Sequence, residues 1–198
     1  MSLIIALSKS NKAVIGGDKR SITFLESCAL LEQELYSGDI QTDQDLLKRA
    51  GELGASLQVA DEREKVWRQG DILVGEVTEI APSKERRRRI YLVPGAYIMA
   101  DIDGQEAKVI GQGKVACMII GNRISQVLAG QEIKNRSGRV DEQAIDDIMA
   151  KVSSSTPSVS PEHLILTTEV MHPDPSAAVL EAFLEDCRKS KWKLCDPQ

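Results

Sequence analysis

The chain opens with an unbroken apolar run at residues 3–7, directly after its second residue. Because a strand with one wet face alternates apolar and polar residues, an unbroken run predicts a strand that is buried on both faces. A polar turn follows at residues 8–12, and a second strand of small and apolar residues occupies positions 13–17. The start of the chain is therefore predicted to be a buried hairpin inside a layered fold.

The rest of the chain mixes helices and strands without regular alternation. Two helices are predicted between residues 25 and 54, and a β-rich stretch covers roughly residues 56–110. A fully apolar strand at residues 115–120 then leads into a helix. The Ser- and Pro-rich segment at residues 153–161 is predicted to be a flexible loop, since it has no apolar periodicity. This pattern favours the α+β class over a doubly wound sheet.

Composition excludes several classes of protein. With 198 residues and 42% apolar content, the chain is predicted to form a single domain over residues 1–198. Its formal net charge of −5 argues against a nucleic-acid binder. No apolar run approaches the roughly 20 residues of a membrane span, and no signal peptide is evident. We therefore expect no membrane insertion, and a cytoplasmic location.

Cysteine and histidine are too scattered to suggest a metal site or a Ser-His-Asp triad. The four cysteines stand far apart and the two histidines stand alone, at Cys28, Cys117, Cys187, Cys195, His163 and His172. The cysteines are interpreted as small apolar residues in a reducing compartment. We expect no metal and no cofactor, and an enzyme built on this chain would need a base other than histidine.

Ser2 is the candidate nucleophile. Removal of Met1 would give one residue a hydroxyl and a free α-amine, whose ordinary pKa of about 7.7–8.0 lets it act as the base. A hairpin of this length returns Asp18 beside Ser2, with Arg20 two residues further on. Taken alone, a second-position serine is common, and Asp-Lys-Arg after a strand is usually a solvated strand end. The conjunction of these features favours an N-terminal nucleophile.

At these residues the sequence resembles the proteasome β subunits. Setting Ser2 on their N-terminal threonine places Asp18 and Arg20 on their Asp/Glu-x-Arg motif without a gap. Residues 115–128 look like the strand, glycine and first helix of that family. The resemblance implies the αββα sandwich of the N-terminal-nucleophile hydrolases. It also implies that the helical pair and the β-rich segment, about residues 25–107, are inserted.

The same resemblance implies two further site groups. Proteasome subunits use a lysine that lowers the pKa of the nucleophile. Lys108 is preferred here, because it precedes Gly121 by a suitable distance, and Lys65 is its competitor. The backbone N–H groups of the turn at Gly121 and Asn122 are the implied donors to an oxyanion.

A closer resemblance, to the archaeal connectases, covers nearly the whole chain. It rests on five blocks, at residues 2–6, 13–18, 34–38, 70–77 and 87–92. Connectases are proteasome-related protein ligases of methanogens. The resemblance implies that an acyl ester forms on Ser2 and that the enzyme recognises a Lys-Asp-Pro-Gly-Ala motif. It implies the A subunit of a methyltransferase as partner, cleavage between Asp and Pro, and rejoining to a Pro-led segment.

Two alternatives stay open. The ester on Ser2 could go to water, which would make the protein an N-terminal-nucleophile peptidase or amidase. The chain could also be a non-catalytic binding module on the same fold. We expect a monomer, because the predicted insertion would obstruct ring assembly. The β-rich stretch is a candidate wall for holding substrate.

Four consecutive arginines, Arg86, Arg87, Arg88 and Arg89, allow two interpretations. A solvated hairpin tip that protects a strand edge from aggregation is the plainer one. A dock for an acidic partner surface or for a substrate carboxylate is the functional one.

Overall fold

The computed structural model describes residues 3–81 and 84–195. The first two strands, Leu3–Ser8 and Ala13–Asp18, are buried at every position. They pair antiparallel, with Ile4 opposite Gly17 and Ser8 opposite Ala13. The predicted buried hairpin is therefore present.

The bounds of the elements follow in chain order. The strands are β1 (Leu3–Ser8), β2 (Ala13–Asp18), β3 (Ser21–Phe24), β4 (Leu57–Ala60), β5 (Val66–Gln69), β6 (Ile72–Ala81), β7 (Lys84–Val93), β8 (Ala96–Asp103), β9 (Glu106–Gly113), β10 (Ala116–Gly121), β11 (His163–Thr168) and β12 (Lys193–Leu194). The helices are α1 (Ala29–Ser37), α2 (Asp43–Leu53), α3 (Arg123–Asn135), α4 (Glu142–Ser153) and α5 (Pro175–Ser190).

Two sheets form the centre of the fold. The first has the order β10-β1-β2-β11, and the second has the order β12-β9-β8-β7-β6-β5. Their facing sides share one apolar cluster, in which Ile4 and Ile15 of the first sheet meet Leu73 and Ile90 of the second. Gly75 lets the sheets approach, since a Cβ there would lie 2.7 Å from Ile15 Cδ1.

Helices cover the outer face of each sheet. The helices α3 and α4 close a cluster against the first sheet, including Ile145 and Ile148, and α5 does the same for the second sheet through Phe183. Thus the molecule has four layers, helix, sheet, sheet and helix. This arrangement confirms the predicted α+β class and the αββα sandwich.

The β-rich stretch differs from its predicted role. It was expected to be an insertion, but β5 to β9 make up most of the second sheet and supply half of the central core. The segment outside the sandwich is shorter. It consists of β3, α1, α2 and β4, residues 21–60, which pack around their own cluster of Leu31, Leu35 and Leu46. We call this segment the helical satellite.

The Ser- and Pro-rich segment also differs from its prediction. Residues 156–160, which were expected in a flexible loop, are all buried. The hydroxyls of Thr156 and Ser158 bond to each other at 2.9 Å, and Thr156 Oγ1 accepts from the Ser158 N–H at 3.3 Å. Because these polar groups find local partners, the segment can be buried without any apolar periodicity.

Among the residues that the structure describes, no helix has the length and apolar character needed to cross a bilayer.

Candidate functional site

Asp18, the last residue of β2, is fully buried and accepts four hydrogen bonds from the residues that the structure describes. Its Oδ1 accepts from the Leu3 N–H at 2.7 Å and from Lys65 Nζ at 2.8 Å. Its Oδ2 accepts from the Arg20 N–H at 2.9 Å and from the Ser160 N–H at 3.4 Å. A buried carboxylate is costly unless it is paired and hydrogen-bonded, and both conditions hold here.

The bond from Leu3 locates the site at the beginning of the chain. Leu3 is the first described residue, and its N–H is held by Asp18. Ser2, the predicted nucleophile, and Met1 lie outside the described residues. Asp18 is thus fixed against the residue that directly follows Ser2, as the length of the hairpin predicts.

Lys65 lies just before β5 and fills the space between the ends of β2 and β5. Its Nζ donates to Asp18 Oδ1 and to the Arg20 carbonyl oxygen at 2.6 Å, and its side chain is buried. Burial lowers the pKa of Lys65 below its usual 10.5, while the charge of Asp18 opposes that shift. We assign Lys65 as an ammonium, since the buried carboxylate needs a counter-charge.

Lys108 is not part of this cluster, and the preference for it is corrected in favour of Lys65. It is exposed on β9, with its Cα opposite Asp101. Three strands separate β9 from β5 in the second sheet. At about 4.8 Å a step, the two strands lie about 19 Å apart. The sequence signal for Lys65 was weak, because the helical satellite separates it from Asp18 by 47 positions.

Arg20 joins three segments at the edge of the site. Its buried guanidinium forms a two-point contact with Asp61, at 2.8 and 2.9 Å, and pairs with Asp43 in the first turn of α2. It also donates to the Pro157 carbonyl oxygen at 2.8 Å. The hydrogen bond from Arg20 lowers the pKa of Asp61 below its usual 3.8. Arg20 therefore fixes the satellite and the buried segment against β2, which is a positioning role.

Gly121 and Asn122 lie on the other side of β1. Gly121 is directly opposite Leu3 in the antiparallel pairing of β10 and β1. Asn122 is the N-cap of α3, and its Oδ1 accepts from the Ser125 N–H at 2.9 Å. A helix N-terminus carries a partial positive charge from its free N–H groups. The positive end of α3 thus meets the start of β1, where an oxyanion would need such donors.

The ring of His163 does not contact Asp18 or Lys65. His163 on β11 is opposite Asp18 in the sheet register. Its ring is bonded elsewhere, with Nε2 at 2.7 Å from Asp146 Oδ1 and Nδ1 at 3.0 Å from the Pro161 carbonyl oxygen. Within residues 3–81 and 84–195, no group of three Asp, Glu, His or Cys side chains is placed to hold a metal ion.

The four arginines differ from the predicted hairpin tip, because they lie within β7. Their contacts are distributed over both faces of the sheet: Arg86 and Arg88 pair with Asp101, Arg87 lies over Trp192, and Arg89 pairs with Glu76 and Asp186. These contacts connect β7 to its neighbours β6 and β8 and to α5. The dock for an acidic partner stays a prediction.

Comparison with known proteins gives one family match. A family model described as "Connectase MJ0548-like, N-terminal domain" matches residues 1–188. Among curated proteins, none matches this chain.

Solved structures that are similar in shape to this chain include two with low sequence identity. The crystal structure of eukaryotic HslV from Trypanosoma brucei has a TM-score of 0.44 and 13% identity, over 85% of this chain and 99% of that one. The structure of Thiobacillus denitrificans BPH in complex with epoxomicin has a TM-score of 0.45 and 8% identity, over 86% of this chain and 100% of that one. Scores at this level carry no argument about activity.

Proposed function

Because this chain belongs to the connectase family, we propose that it is a protein ligase that acts through an acyl ester on Ser2. The family and the αββα layers support the coarser assignment, an enzyme of the ligase or N-terminal-nucleophile hydrolase type. One observation carries the finer proposal. A fully buried Asp18 and the ammonium of Lys65 meet at the residue that follows Ser2.

In the first step, Ser2 Oγ attacks the carbonyl carbon of an aspartate in the substrate. The α-amine of Ser2 takes the hydroxyl proton, and the N–H groups near Gly121 stabilise the oxyanion. The bond from that carbon to the proline nitrogen then breaks, and the α-ammonium returns its proton to the leaving nitrogen. An ester between the aspartyl carbonyl and Ser2 Oγ remains.

In the second step, a peptide with an N-terminal proline attacks the ester. A new carbon–nitrogen bond forms, the ester bond to Oγ breaks, and the proton of the incoming amine passes through the α-amine back to Ser2. Attack by water in place of the amine would give hydrolysis. Ligation is faster than hydrolysis where the site excludes water and holds the amine at a high effective concentration.

Lys65 and Asp18 act on the nucleophile as a pair. Among the described residues, the Lys65 ammonium donates to Asp18 and to the Arg20 carbonyl oxygen, which leaves one of its three protons for an oxygen or nitrogen nearby. Its positive charge lowers the pKa of a neighbouring hydroxyl. Asp18 keeps that ammonium in place and compensates its charge.

We further propose that the substrate carries a Lys-Asp-Pro-Gly-Ala motif and that the A subunit of a methanogen methyltransferase presents it. We also propose that the chain works as a monomer in the cytoplasm. These proposals rest on the connectase resemblance of the five sequence blocks.

The test uses the purified protein, with Met1 removal verified by intact mass. It is incubated with a peptide containing Lys-Asp-Pro-Gly-Ala and an excess of a labelled peptide that begins with Pro-Gly-Ala. We expect label exchange into the first peptide, and a mass adduct on Ser2 in quenched samples. The Ser2→Ala variant should fold and give neither.

Each other outcome identifies a different function. Cleavage without exchange would contradict the ligase and favour a peptidase. No reaction from a correctly processed protein would favour a binding module, which a titration of the Ser2→Ala variant with the same peptide would then detect.

A further inference from the structure

The side-chain amide nitrogen of Asn122 is buried, and none of the residues in the ranges 3–81 and 84–195 accepts a hydrogen bond from it. Asn122 is only 5% exposed. The orientation of its amide is fixed, because the N-cap bond to the Ser125 N–H needs an oxygen acceptor, and that atom is Oδ1. Nδ2 is therefore the group that is left without a partner.

An unpartnered buried N–H group is expensive. Leaving such a donor unsatisfied costs about 1–3 kcal/mol, and buried polar groups in native proteins are nearly always bonded. The N-cap role alone does not require this cost, since serine or aspartate would cap α3 equally well without an NH₂ group. A ligand that accepts a hydrogen bond from Nδ2 would remove the cost.

The location of Nδ2 connects it to the reaction centre. Oδ1 and Nδ2 share one carbon, so Nδ2 lies at the N-terminus of α3 together with the capped N–H. Gly121, the residue before Asn122, is opposite Leu3, whose own N–H is held by Asp18. The unpartnered donor is thus one residue beyond the point where β10 meets the start of β1.

The donor Nδ2 and the N-terminus of α3 together restrict which kind of group can bind here. Nδ2 can only donate, and the positive end of a 13-residue helix disfavours cations and favours negative charge. The group that fits is therefore an oxygen acceptor that carries or develops negative charge.

We propose that Asn122 Nδ2 donates a hydrogen bond to the substrate carbonyl oxygen when that oxygen becomes the oxyanion on Ser2. Asn122 is then a catalytic residue through its side chain, in addition to the backbone donors of its turn. This inference rests on the proposed function, because the oxyanion exists only if Ser2 acylates.

The test compares two substitutions that keep the cap and remove the donor. Asn122→Asp is isosteric and retains an acceptor for Ser125, and Asn122→Ser caps the helix without adding charge. We expect both to lower the rate of ester formation about 10²- to 10³-fold, which is the loss typical of one oxyanion donor. The fall should be in kcat, with KM little changed, because the bond is strongest in the transition state.

The matched control is Asp141→Asn, the reverse isosteric change at the N-cap of α4. Asp141 accepts from the Ala144 N–H at 2.8 Å and lines a cavity with Leu7 and Lys9, at the end of β1 away from Leu3. We expect wild-type kcat from this variant. Thermal unfolding of all three variants shows what fraction of each is folded.

Three results would overturn the inference. Wild-type kcat in both Asn122 variants would do so, and so would a loss that disappears when rates are divided by the folded fraction, since Asn122 would then be a structural cap only. An equal loss in Asp141→Asn would show that any cap change slows the reaction. An inactive wild-type protein would contradict the proposed function as well, whereas an active wild type with unaffected Asn122 variants contradicts this inference alone.

Discussion

Asp18 shows how one residue can serve both folding and chemistry. Its carboxylate accepts hydrogen bonds from the backbone N–H groups of Leu3 and Arg20, which fixes the start of β1 beside the end of β2. It also compensates the charge of Lys65. Breaking a buried ion pair by removing one partner is far more costly than replacing both partners. Stability and activity at this position can therefore be separated by a second substitution.

We expect Asp18→Asn to cost about 3–5 kcal/mol of unfolding free energy, because Lys65 would be left as an uncompensated buried charge. The double variant Asp18→Asn, Lys65→Met should recover most of that loss, as measured by urea denaturation. Neither variant should form the ester at more than about 1% of the wild-type rate, because misplacing a reacting group by an ångström costs about 10²-fold. A double variant with restored activity would contradict the assigned role of the pair.

The pH profile should report the pKa of Lys65. The rate of ester formation should rise as the amine of Ser2 loses its proton at about pH 7.7–8.0. Burial lowers the pKa of Lys65 below 10.5, so its charge, and with it the rate, is lost as the pH rises through that lowered pKa. The expected result is a bell-shaped curve whose rising limb lies at about pH 7.7–8.0 and whose falling limb lies below pH 10.5.

The control for this assignment is Lys65→Arg, because arginine keeps its charge beyond about pH 12. We expect a lower maximum rate from altered geometry, without the fall on the alkaline side. An identical alkaline fall in the variant would assign that limb to another group.

At the scale of elements, the N-terminal hairpin could be predicted from the sequence, because a strand that is buried on both faces has an unbroken apolar run. The caps of the two satellite helices also depend on local chemistry, so a sequence can indicate them without knowledge of the tertiary fold. Thr42 accepts from the Asp45 N–H at 3.1 Å, and Gly38 and Gly54 both have positive φ values, as their C-cap positions require.

Contacts between residues that are distant in the sequence could not be predicted in this way. The choice of Lys108 came from counting positions back from Gly121, but Lys65 reaches Asp18 through the packing of β5 against β2. The burial of Ser158 was missed because hydroxyl pairs leave no hydrophobic pattern. The Nδ2 of Asn122, which has no partner among the described residues, carries no sequence signal at all, since any N-cap asparagine looks alike.

The packing of β5 against β2 can be tested at Gly17. A Cβ at this position would lie 2.7 Å from Val66 Cγ1 and 3.6 Å from Lys65 Cβ. We expect Gly17→Ala to push β5 outward, with a cost of about 1–3 kcal/mol from overpacking and a slower esterification as Lys65 moves.

The matched control is Gly51→Ala in α2, where an added Cβ meets nothing within 4 Å. It should leave the rate unchanged and stabilise the fold by about 0.5–1 kcal/mol. Urea denaturation and single-turnover kinetics on both variants check the pair. A normal rate in Gly17→Ala would show that the position of Lys65 does not limit the reaction.

The whole molecule has several apolar clusters, and only some of them contact the site. The cluster between the sheets carries β1 and β2, whereas the cluster under α5 lies on the far side of the second sheet. The family resemblance and the four-layer fold, which were inferred from sequence blocks, are confirmed at this scale. Substitutions in the cluster under α5 should therefore change the free energy of unfolding without changing the rate of ester formation.

Trp192 offers that test. It is 8% exposed and lies under the guanidinium groups of Arg87 and Arg89, at 5.0 and 4.9 Å. We expect Trp192→Ala to cost about 3–5 kcal/mol, as truncation of a buried tryptophan usually does. The rate of ester formation per folded molecule should stay at the wild-type value. A reduced rate in the folded fraction would show that the outer cluster is coupled to the site.

The helical satellite has a consequence for recognising related genes. The satellite begins directly after Arg20 and ends directly before Asp61, and a salt bridge joins these two residues. Lys65 follows that salt bridge by four positions and contacts Asp18, although 47 positions separate the two residues in the sequence. A search pattern for distant relatives should therefore leave that interval free. It should require the Gly-Gly-Asp-x-Arg run and a lysine that directly precedes a short strand.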